Sequence, residues 1–176
     1  MTQTLNPETT VAQLSEQSQE QFVSTLDGIF EHSPWVAERA WAKRPFASVD
    51  ALFHAMFQAV EQASHQEQLD LICAHPELAG KEAAAGTLTK ESTGEQKGAG
   101  LDQCTPDELE RLRQLNASYR EKFGFPFVIA VKGLTRHEIM DKVDARLNNS
   151  TEDEFRTCLQ EIGKIARFRL DAQFDA

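Results

Sequence analysis

The sequence repeats one kind of helix-start signal, each time ahead of apolar residues at helical spacing. A serine or threonine placed three residues before an acidic or amide side chain can exchange hydrogen bonds with it, which closes the first turn of a helix. Such pairs start at Ser18, Thr105, Thr135 and Thr151, and a proline follows the possible cap at Ser33. Because apolar residues then recur every three or four positions, the pattern predicts an all-α fold.

The same signals predict where individual helices lie. We expect the first helix to cover 18–30, and a cap at Ser48 to open a helix whose apolar stripe covers 49–60. A further short helix should run up to His75, because the proline that follows disfavours helical backbone at the preceding residue. Gly124 marks the end of the helix that starts after Thr105.

Two stretches do not show helical periodicity. Residues 80–100 are rich in small and polar side chains, which indicates a loop or a weakly determined helix outside the core. Residues 125–131 form a short apolar run that, as a lone strand, would have no partner. We therefore expect a single-domain helical bundle with a buried extended connector, whose unpaired backbone groups must find partners such as a polar heterocycle.

Length and charge limit the kinds of protein this can be. A chain of 176 residues favours one domain over 1–176, and residues 1–15 are expected to form a flexible N-terminus. A net charge of −10 argues against a nucleic-acid partner, which needs a clustered positive surface. No apolar run approaches the roughly 20 residues of a membrane helix, and no secretory signal is visible, so a cytoplasmic location is expected.

No metal or nucleotide site is predicted. Glu61 and His65 lie one helical turn apart, as do His137 and Asp141, but neither pair has a visible third ligand. The glycines within 94–100 do not follow a strand, as a dinucleotide fingerprint requires. The three cysteines are far apart in the sequence and suggest neither a disulfide framework nor a zinc site.

The residues themselves leave the functional site open. His75 precedes Pro76 at a point where a helix ends, so its imidazole can project into a cleft. A single histidine near a helix C-terminus is nevertheless more often a surface feature than a catalyst. Glu95 lies in a polar stretch where glutamates are nearly always solvated.

Three segments resemble a known family. These are 74–81 (AHPELAGK), 91–96 (ESTGEQ) and 123–133 (FGFPFVIAVKG), and they are similar to the OHCU decarboxylases. Those enzymes convert 2-oxo-4-hydroxy-4-carboxy-5-ureidoimidazoline (OHCU) to (S)-allantoin in purine catabolism. The resemblance extends from the helix of Phe22 to Leu170. It implies one OHCU decarboxylase-like domain, a small-molecule substrate, no cofactor, and a homodimer.

The resemblance also implies roles for individual residues. His75 and Glu95 correspond to the catalytic pair. Arg169 resembles an arginine that holds an anionic group of the substrate, although Arg167 is close enough to leave that choice open. The other implied substrate-binding residues are Pro76, Ser92, Gln96, Phe127, Val128, Ile129, Ala130 and Val131.

Decarboxylation is chemically reasonable for these residues. The substrate ring can take up the electron pair of the broken bond, so neither pyridoxal phosphate nor a metal is required. An imidazole with an ordinary pKa of about 6.5 suits proton transfer at His75, while Glu95 could orient it or hydrogen-bond the ureido and ring N–H groups. Two alternatives remain: a helical interaction module in which His75 is incidental, and a hydrolase or isomerase of a related ureide.

Overall fold

The computed structural model describes residues 7–174, and within them the side chains of 11–80 and 83–174. Residues 1–6 of the predicted flexible N-terminus lie outside the described residues. The predicted all-α class is confirmed, since this part of the chain contains helices and no strand. None of its helices has the length and apolar character needed to cross a membrane.

The helices are α1 (Pro7–Glu16), α2 (Gln19–Thr25), α3 (Pro34–Ala40), α4 (Val49–Glu61), α5 (His65–Cys73), α6 (Lys81–Ala85), α7 (Lys90–Gly98), α8 (Pro106–Phe123), α9 (Arg136–Arg146) and α10 (Thr151–Phe174), with short 3₁₀ helices at Trp41–Lys43 and Leu101–Gln103.

Most predicted helix ends are confirmed by their hydrogen bonds. Ser18, Thr105 and Thr135 each form the full reciprocal pair with the side chain three residues on. The hydroxyl of Ser48 accepts a backbone N–H in the first turn of α4. Helix α8 ends where Gly124 adopts a φ of +82°, a left-handed conformation that costs glycine little.

Helix α2 is shorter than predicted. It ends at Thr25, and the chain then turns at Gly28, which has a φ of +88°. Ile29 and Phe30 are buried, as their apolar spacing suggested, but they lie in the turn after the helix. The periodicity therefore identified core residues correctly and the helix boundary incorrectly.

Two other boundaries also differ from the prediction, and α1 was not predicted at all. The hydroxyl of Ser150 accepts the Asp153 N–H at 3.1 Å, so the cap of α10 lies one residue before Thr151. Helix α5 ends at Cys73, two residues before His75, which leaves the histidine outside the helix.

The 80–100 stretch contains two helices, α6 and α7. Thr89 caps α7 by accepting the Ser92 N–H at 3.2 Å. Ser92 and Gln96 are buried, so the expectation that this stretch lies outside the core is wrong. Because the buried face of α7 is polar, apolar periodicity could not reveal it.

Contacts divide the chain into two units, of which the first comprises the described residues up to Leu71 and from Gly163 onward. In it, α3 packs against both α2 and α4, and the rings of Phe22 and Phe46 stack with centroids 5.8 Å apart. A Cβ added at Gly163 would lie 2.8 Å from the Phe57 ring. Glycine therefore allows α10 to approach α4 closely at this point.

The second unit, Ile72–Ile162, has an aromatic core centred on Tyr119. The Tyr119 ring lies 4.5 Å from that of Phe123 and 5.2 Å from that of Phe127, measured between centroids. The second contact is edge-to-face, an arrangement that aromatic quadrupoles favour. Tyr119 thereby joins α8 to the segment that follows it.

The predicted buried connector is confirmed within this second unit. Residues 125–131 form neither helix nor strand, and all of them are buried except the half-buried Ala130. The Val128 carbonyl accepts a hydrogen bond from Arg146 Nη1 at 2.8 Å, and the Val128 backbone also hydrogen-bonds the Cys158 thiol. Side chains of α9 and α10 thus satisfy backbone groups that an extended segment leaves unpaired.

A buried ion pair supports the connector. Arg146 Nε donates to Glu154 Oε1 at 2.8 Å, and the Glu154 side chain is completely inaccessible to solvent. The Tyr119 hydroxyl donates to the same carboxylate at 2.6 Å, and Asn149 donates to its other oxygen at 2.8 Å. The Arg146 guanidinium also lies 4.2 Å from the Phe127 ring centroid. Each carboxylate oxygen therefore has a donor, as a buried charge requires.

The ionisable groups around this pair each keep a single protonation state near neutral pH. Burial raises the pKa of the Tyr119 hydroxyl well above its ordinary value and raises the pKa of the Cys158 thiol, so both stay protonated near neutral pH. Burial alone would lower the pKa of the Arg146 guanidinium, but the Glu154 carboxylate opposes this effect and the pKa is raised. One positive guanidinium therefore faces one carboxylate.

Replacing Arg146 should strongly destabilise the protein. We expect Arg146→Met to lower the free energy of unfolding by about 3–5 kcal/mol, because it leaves the Glu154 charge buried without its partner. Urea denaturation followed by circular dichroism measures this. The control is Arg111→Met, which removes an exposed ion pair to Asp141 and should cost about 1 kcal/mol or less. Equal small losses for the two variants would show that the buried pair is not essential.

Candidate active site

His75 lies in a buried turn between α5 and α6. The residue is 6% exposed, and its backbone N–H donates to the Ile72 carbonyl at 3.1 Å. The turn closes when the Gly80 N–H donates to the Glu77 carbonyl at 3.3 Å. Ala79 has a φ of +50°, a left-handed conformation that is costly for a residue with a Cβ. This turn, residues 75–80, is called the histidine turn below.

Helix α7 contacts the histidine turn through Gln96. The Gln96 Oε1 atom accepts the Ala79 N–H at 2.9 Å, and both groups are buried. Because a backbone N–H can only donate, this bond fixes which end of the amide is oxygen. The NH₂ group must point the other way, and no described residue accepts a hydrogen bond from it. Gln96 is thus oriented as a donor.

Two other predicted site residues, Ser92 and Glu95, lie on α7 close to Gln96. Ser92 is buried and Glu95 is half-buried. Ser92 lies one helical turn before Gln96 and therefore on the same side of α7, whereas Glu95 is the residue next to Gln96. The two segments that carry the predicted catalytic residues, His75 and Glu95, are therefore in direct contact through Gln96 and Ala79.

Helix α8 holds the histidine turn from another side. Asn116 Nδ2 donates to the Leu78 carbonyl at 3.0 Å, and Arg120 Nε donates to Glu77 at 2.7 Å. Neither Asn116 nor Arg120 was predicted from the sequence to contact this turn. A signal for Asn116 was present, since it is the polar member of a buried stripe on α8.

The same face of α8 also carries the connector. Asn116 and Tyr119 are three residues apart and therefore neighbours on the helix surface. Asn116 binds the histidine turn at Leu78, while Tyr119 packs against Phe127. Helix α8 thereby brings together two of the segments that carry the family resemblance.

Within the connector, the predicted substrate-binding run Phe127–Val131 is accessible mainly at one residue. Four of its five residues are buried, and only Ala130 is half-buried. The Val128 carbonyl is hydrogen-bonded to Arg146, and the Val131 carbonyl accepts the Leu134 N–H at 3.0 Å. A ligand that contacts this backbone would therefore reach it at Ala130.

Arg169 belongs to the first unit. Its side chain is buried, with Nη1 donating to the Gly28 carbonyl at 2.8 Å and Nη2 to Glu31 Oε1 at 3.0 Å. Arg167 is more exposed and is paired with Asp50 and Asp171. The role of Arg169 in anion binding stays a prediction, as do the roles of the other site residues.

Metal-ligating side chains do not cluster in the part of the chain that the structure describes. No three His, Cys, Asp or Glu side chains there are arranged to hold a metal ion.

Comparison with known proteins identifies the family. The family model for OHCU decarboxylase matches residues 15–171. The chain belongs to this family. It is 43% identical over 169 residues to the 2-oxo-4-hydroxy-4-carboxy-5-ureidoimidazoline decarboxylase of Haloferax volcanii, covering 96% of this chain and 98% of that protein.

Two further relatives differ in length from this chain. The uric acid degradation bifunctional protein of a Bacillus species is 47% identical over 165 residues, covering 92% of this chain but only 32% of its own length. This family member thus spans about a third of that bifunctional relative. A crystal structure of (S)-allantoin synthase, 31% identical, has a TM-score of 0.71 and covers 93% of this chain and 53% of its own.

Proposed function

We propose that this OHCU decarboxylase family member converts OHCU to (S)-allantoin and carbon dioxide without a cofactor, as a step of urate degradation. The observation that carries the proposal is the contact between the histidine turn and α7. The hydrogen bond from Ala79 to Gln96 joins the two short segments that hold His75 and Glu95. Family membership over residues 15–171 supports assigning these residues the family's roles.

The proposed reaction depends on a correctly positioned substrate and on proton transfer, because the substrate ring itself serves as the electron sink. The bond to the carboxylate breaks, carbon dioxide leaves, and the conjugated ring takes up the electron pair. A proton must then reach one face of the ring to give a single stereoisomer. His75 supplies it, because an imidazole exchanges protons readily near neutral pH. Glu95 orients His75 or accepts hydrogen bonds from the ureido and ring N–H groups.

Substrate binding is assigned to groups of different kinds. The Gln96 NH₂ donates to a substrate oxygen, the Ala130 backbone meets the ring, and Pro76 and Ser92 line the same site. Arg169 binds the carboxylate, since a guanidinium matches its two oxygens. The proposal includes a homodimer, on the basis of the family resemblance, and no nucleic-acid partner, on the basis of the net charge of −10. It also includes the cytoplasmic location that is expected from the sequence.

The function is tested with freshly generated OHCU, measuring carbon dioxide release together with the circular dichroism of the allantoin. The wild-type protein should accelerate the decay, release one carbon dioxide per allantoin and yield the S enantiomer. His75→Asn should keep its far-ultraviolet spectrum yet lose roughly 10²–10⁴-fold in rate, the usual contribution of a positioned acid or base.

Each alternative function gives a different result in this assay. Racemic product at the spontaneous rate would indicate a helical interaction module, and turnover without carbon dioxide would indicate a hydrolase or isomerase. Near-wild-type turnover by folded His75→Asn would remove His75 from the mechanism while leaving the overall reaction established.

Gln96→Glu should weaken substrate binding while keeping the fold. A carboxylate oxygen can still accept the Ala79 N–H, but the substituted side chain cannot donate to a substrate oxygen and adds a negative charge. We expect KM to rise about 10-fold or more, since a hydrogen bond to a charged group contributes about 1.5–3 kcal/mol. The control is Gln114→Glu, the same change on the exposed face of α8. A KM that is equal in the two variants would contradict the donor role of Gln96.

Arg169→Lys and Arg167→Lys should separate the two candidate anion-binding residues. The Arg169 guanidinium is held by hydrogen bonds to Gly28 and Glu31. Arg167 is instead paired with the carboxylates of Asp50 and Asp171 at the surface. We expect Arg169→Lys to lower kcat/KM substantially and Arg167→Lys much less, because lysine cannot reproduce a bidentate contact. Thermal unfolding must be measured alongside, since Arg169 also holds buried groups. Equal losses, or a loss confined to Arg167, would show that the assignment is wrong.

A further inference from the structure

The histidine turn has a backbone that needs external support. Ala79 is held at a φ of +50°, which a residue with a Cβ adopts only where its surroundings enforce it. Space inside the turn is also limited, because a Cβ added at Gly80 would lie 3.0 Å from the Glu77 Cβ. The position of His75 therefore depends on the contacts that hold this turn.

Asn116 makes one of these contacts from the interior of α8. The residue is 5% exposed, and its Nδ2 atom donates to the Leu78 carbonyl, 38 residues earlier in the chain. Its Oδ1 atom is buried, and no described residue donates to it. A buried acceptor without a donor carries a free-energy penalty that offsets the single hydrogen bond. Stability alone therefore does not account for an amide at this position.

The helix that carries Asn116 is itself firmly anchored. One turn further on, the Tyr119 hydroxyl donates to Glu154, and the Tyr119 ring packs against Phe127. A contact made from this part of α8 can fix the turn relative to the core of the second unit. The Ala79 hydrogen bond to Gln96 provides a second point of attachment, one residue from Leu78.

We propose that Asn116 is a positioning residue that holds the Leu78 carbonyl and thereby sets where the His75 imidazole lies. This rests on the proposed function, which assigns proton transfer to His75. A displacement of about 1 Å in a reacting group can lower the rate about 100-fold. Loss of a single contact at the histidine turn is therefore enough to change the rate measurably.

The test replaces Asn116 with leucine, which has the same branching at Cγ and no donor. Asn116→Leu should lower kcat for OHCU by roughly 10–100-fold with KM within about 3-fold of wild type, and should reduce the enantiomeric excess of the allantoin. The control is Gln68→Leu in the other unit. It removes a comparable hydrogen bond, in which the Gln68 side-chain amide donates to the Val60 carbonyl at 2.9 Å. Its kcat and product chirality should stay unchanged. If Asn116→Leu does not fold, Asn116→Ser carries the same expectations.

A second readout does not depend on activity. The Cε1–H resonance of His75, recorded by NMR without substrate, should shift or broaden in the Asn116 variant and stay in place in Gln68→Leu. An unchanged resonance, an unchanged kcat, or a rise in KM alone would overturn the positioning role. If wild-type protein failed to decarboxylate OHCU, the proposed function would fall, and the resonance would still show whether Asn116 holds His75.

Discussion

The second unit depends on the buried ion pair between Arg146 and Glu154. Burying two charges costs so much solvation free energy that such a pair stabilises little by itself, but losing one partner is strongly unfavourable. The pair therefore acts mainly as a constraint on geometry. It is satisfied only when α9 and α10 place both side chains against Tyr119 and the Val128 carbonyl. Because Tyr119 and Cys158 stay protonated, no further charge disturbs the balance.

This constraint reaches the candidate active site through α8. Tyr119 is fixed at its hydroxyl by Glu154 and at its ring by Phe127, and Asn116 lies one helical turn away. From there a hydrogen bond reaches the histidine turn at Leu78, while Gln96 holds the next residue. Two side-chain contacts, Asn116 to the Leu78 carbonyl and Gln96 to the Ala79 N–H, thus connect the histidine turn to α8 and α7. Such short support is what keeps a catalytic group in place when it lies on an irregular segment.

Local interactions explain which parts of the fold the sequence predicted. The capping pairs at Ser18, Thr105 and Thr135 involve residues three apart, so the motif contains the whole interaction. The connector was predictable because residues 125–131 are apolar and too short for a core helix. In a helical protein a lone strand would have no partner, which left a buried extended segment. Helix α2 was overextended because apolar spacing continues through the turn after Thr25, where the left-handed Gly28 redirects the chain.

The remaining features depend on pairings between residues distant in sequence. Nothing in the local sequence indicates that Gln96 accepts a hydrogen bond from Ala79, 17 residues earlier in the chain. The same is true of the hydrogen bond that Asn116 donates to Leu78, 38 residues earlier. The buried face of α7 consists of Ser92 and Gln96, so a search for apolar periodicity leaves it among the loops. The family resemblance gave Gln96 a substrate-binding role and gave Asn116 none, because shared sequence motifs do not show which residues contact each other.

Charge explains why the site should rely on oriented donors. With a net charge of −10, the protein provides no general field that would concentrate an anionic substrate. Attraction must therefore come from short-range, directional groups, whose effect falls off within a few ångströms. Gln96 is such a group, since the Ala79 N–H fixes its amide so that the NH₂ is the end left for a ligand. A donor that is already oriented loses little entropy on binding, so under the proposed function the hydrogen bond that supports the histidine turn would also prepare Gln96 to bind the substrate.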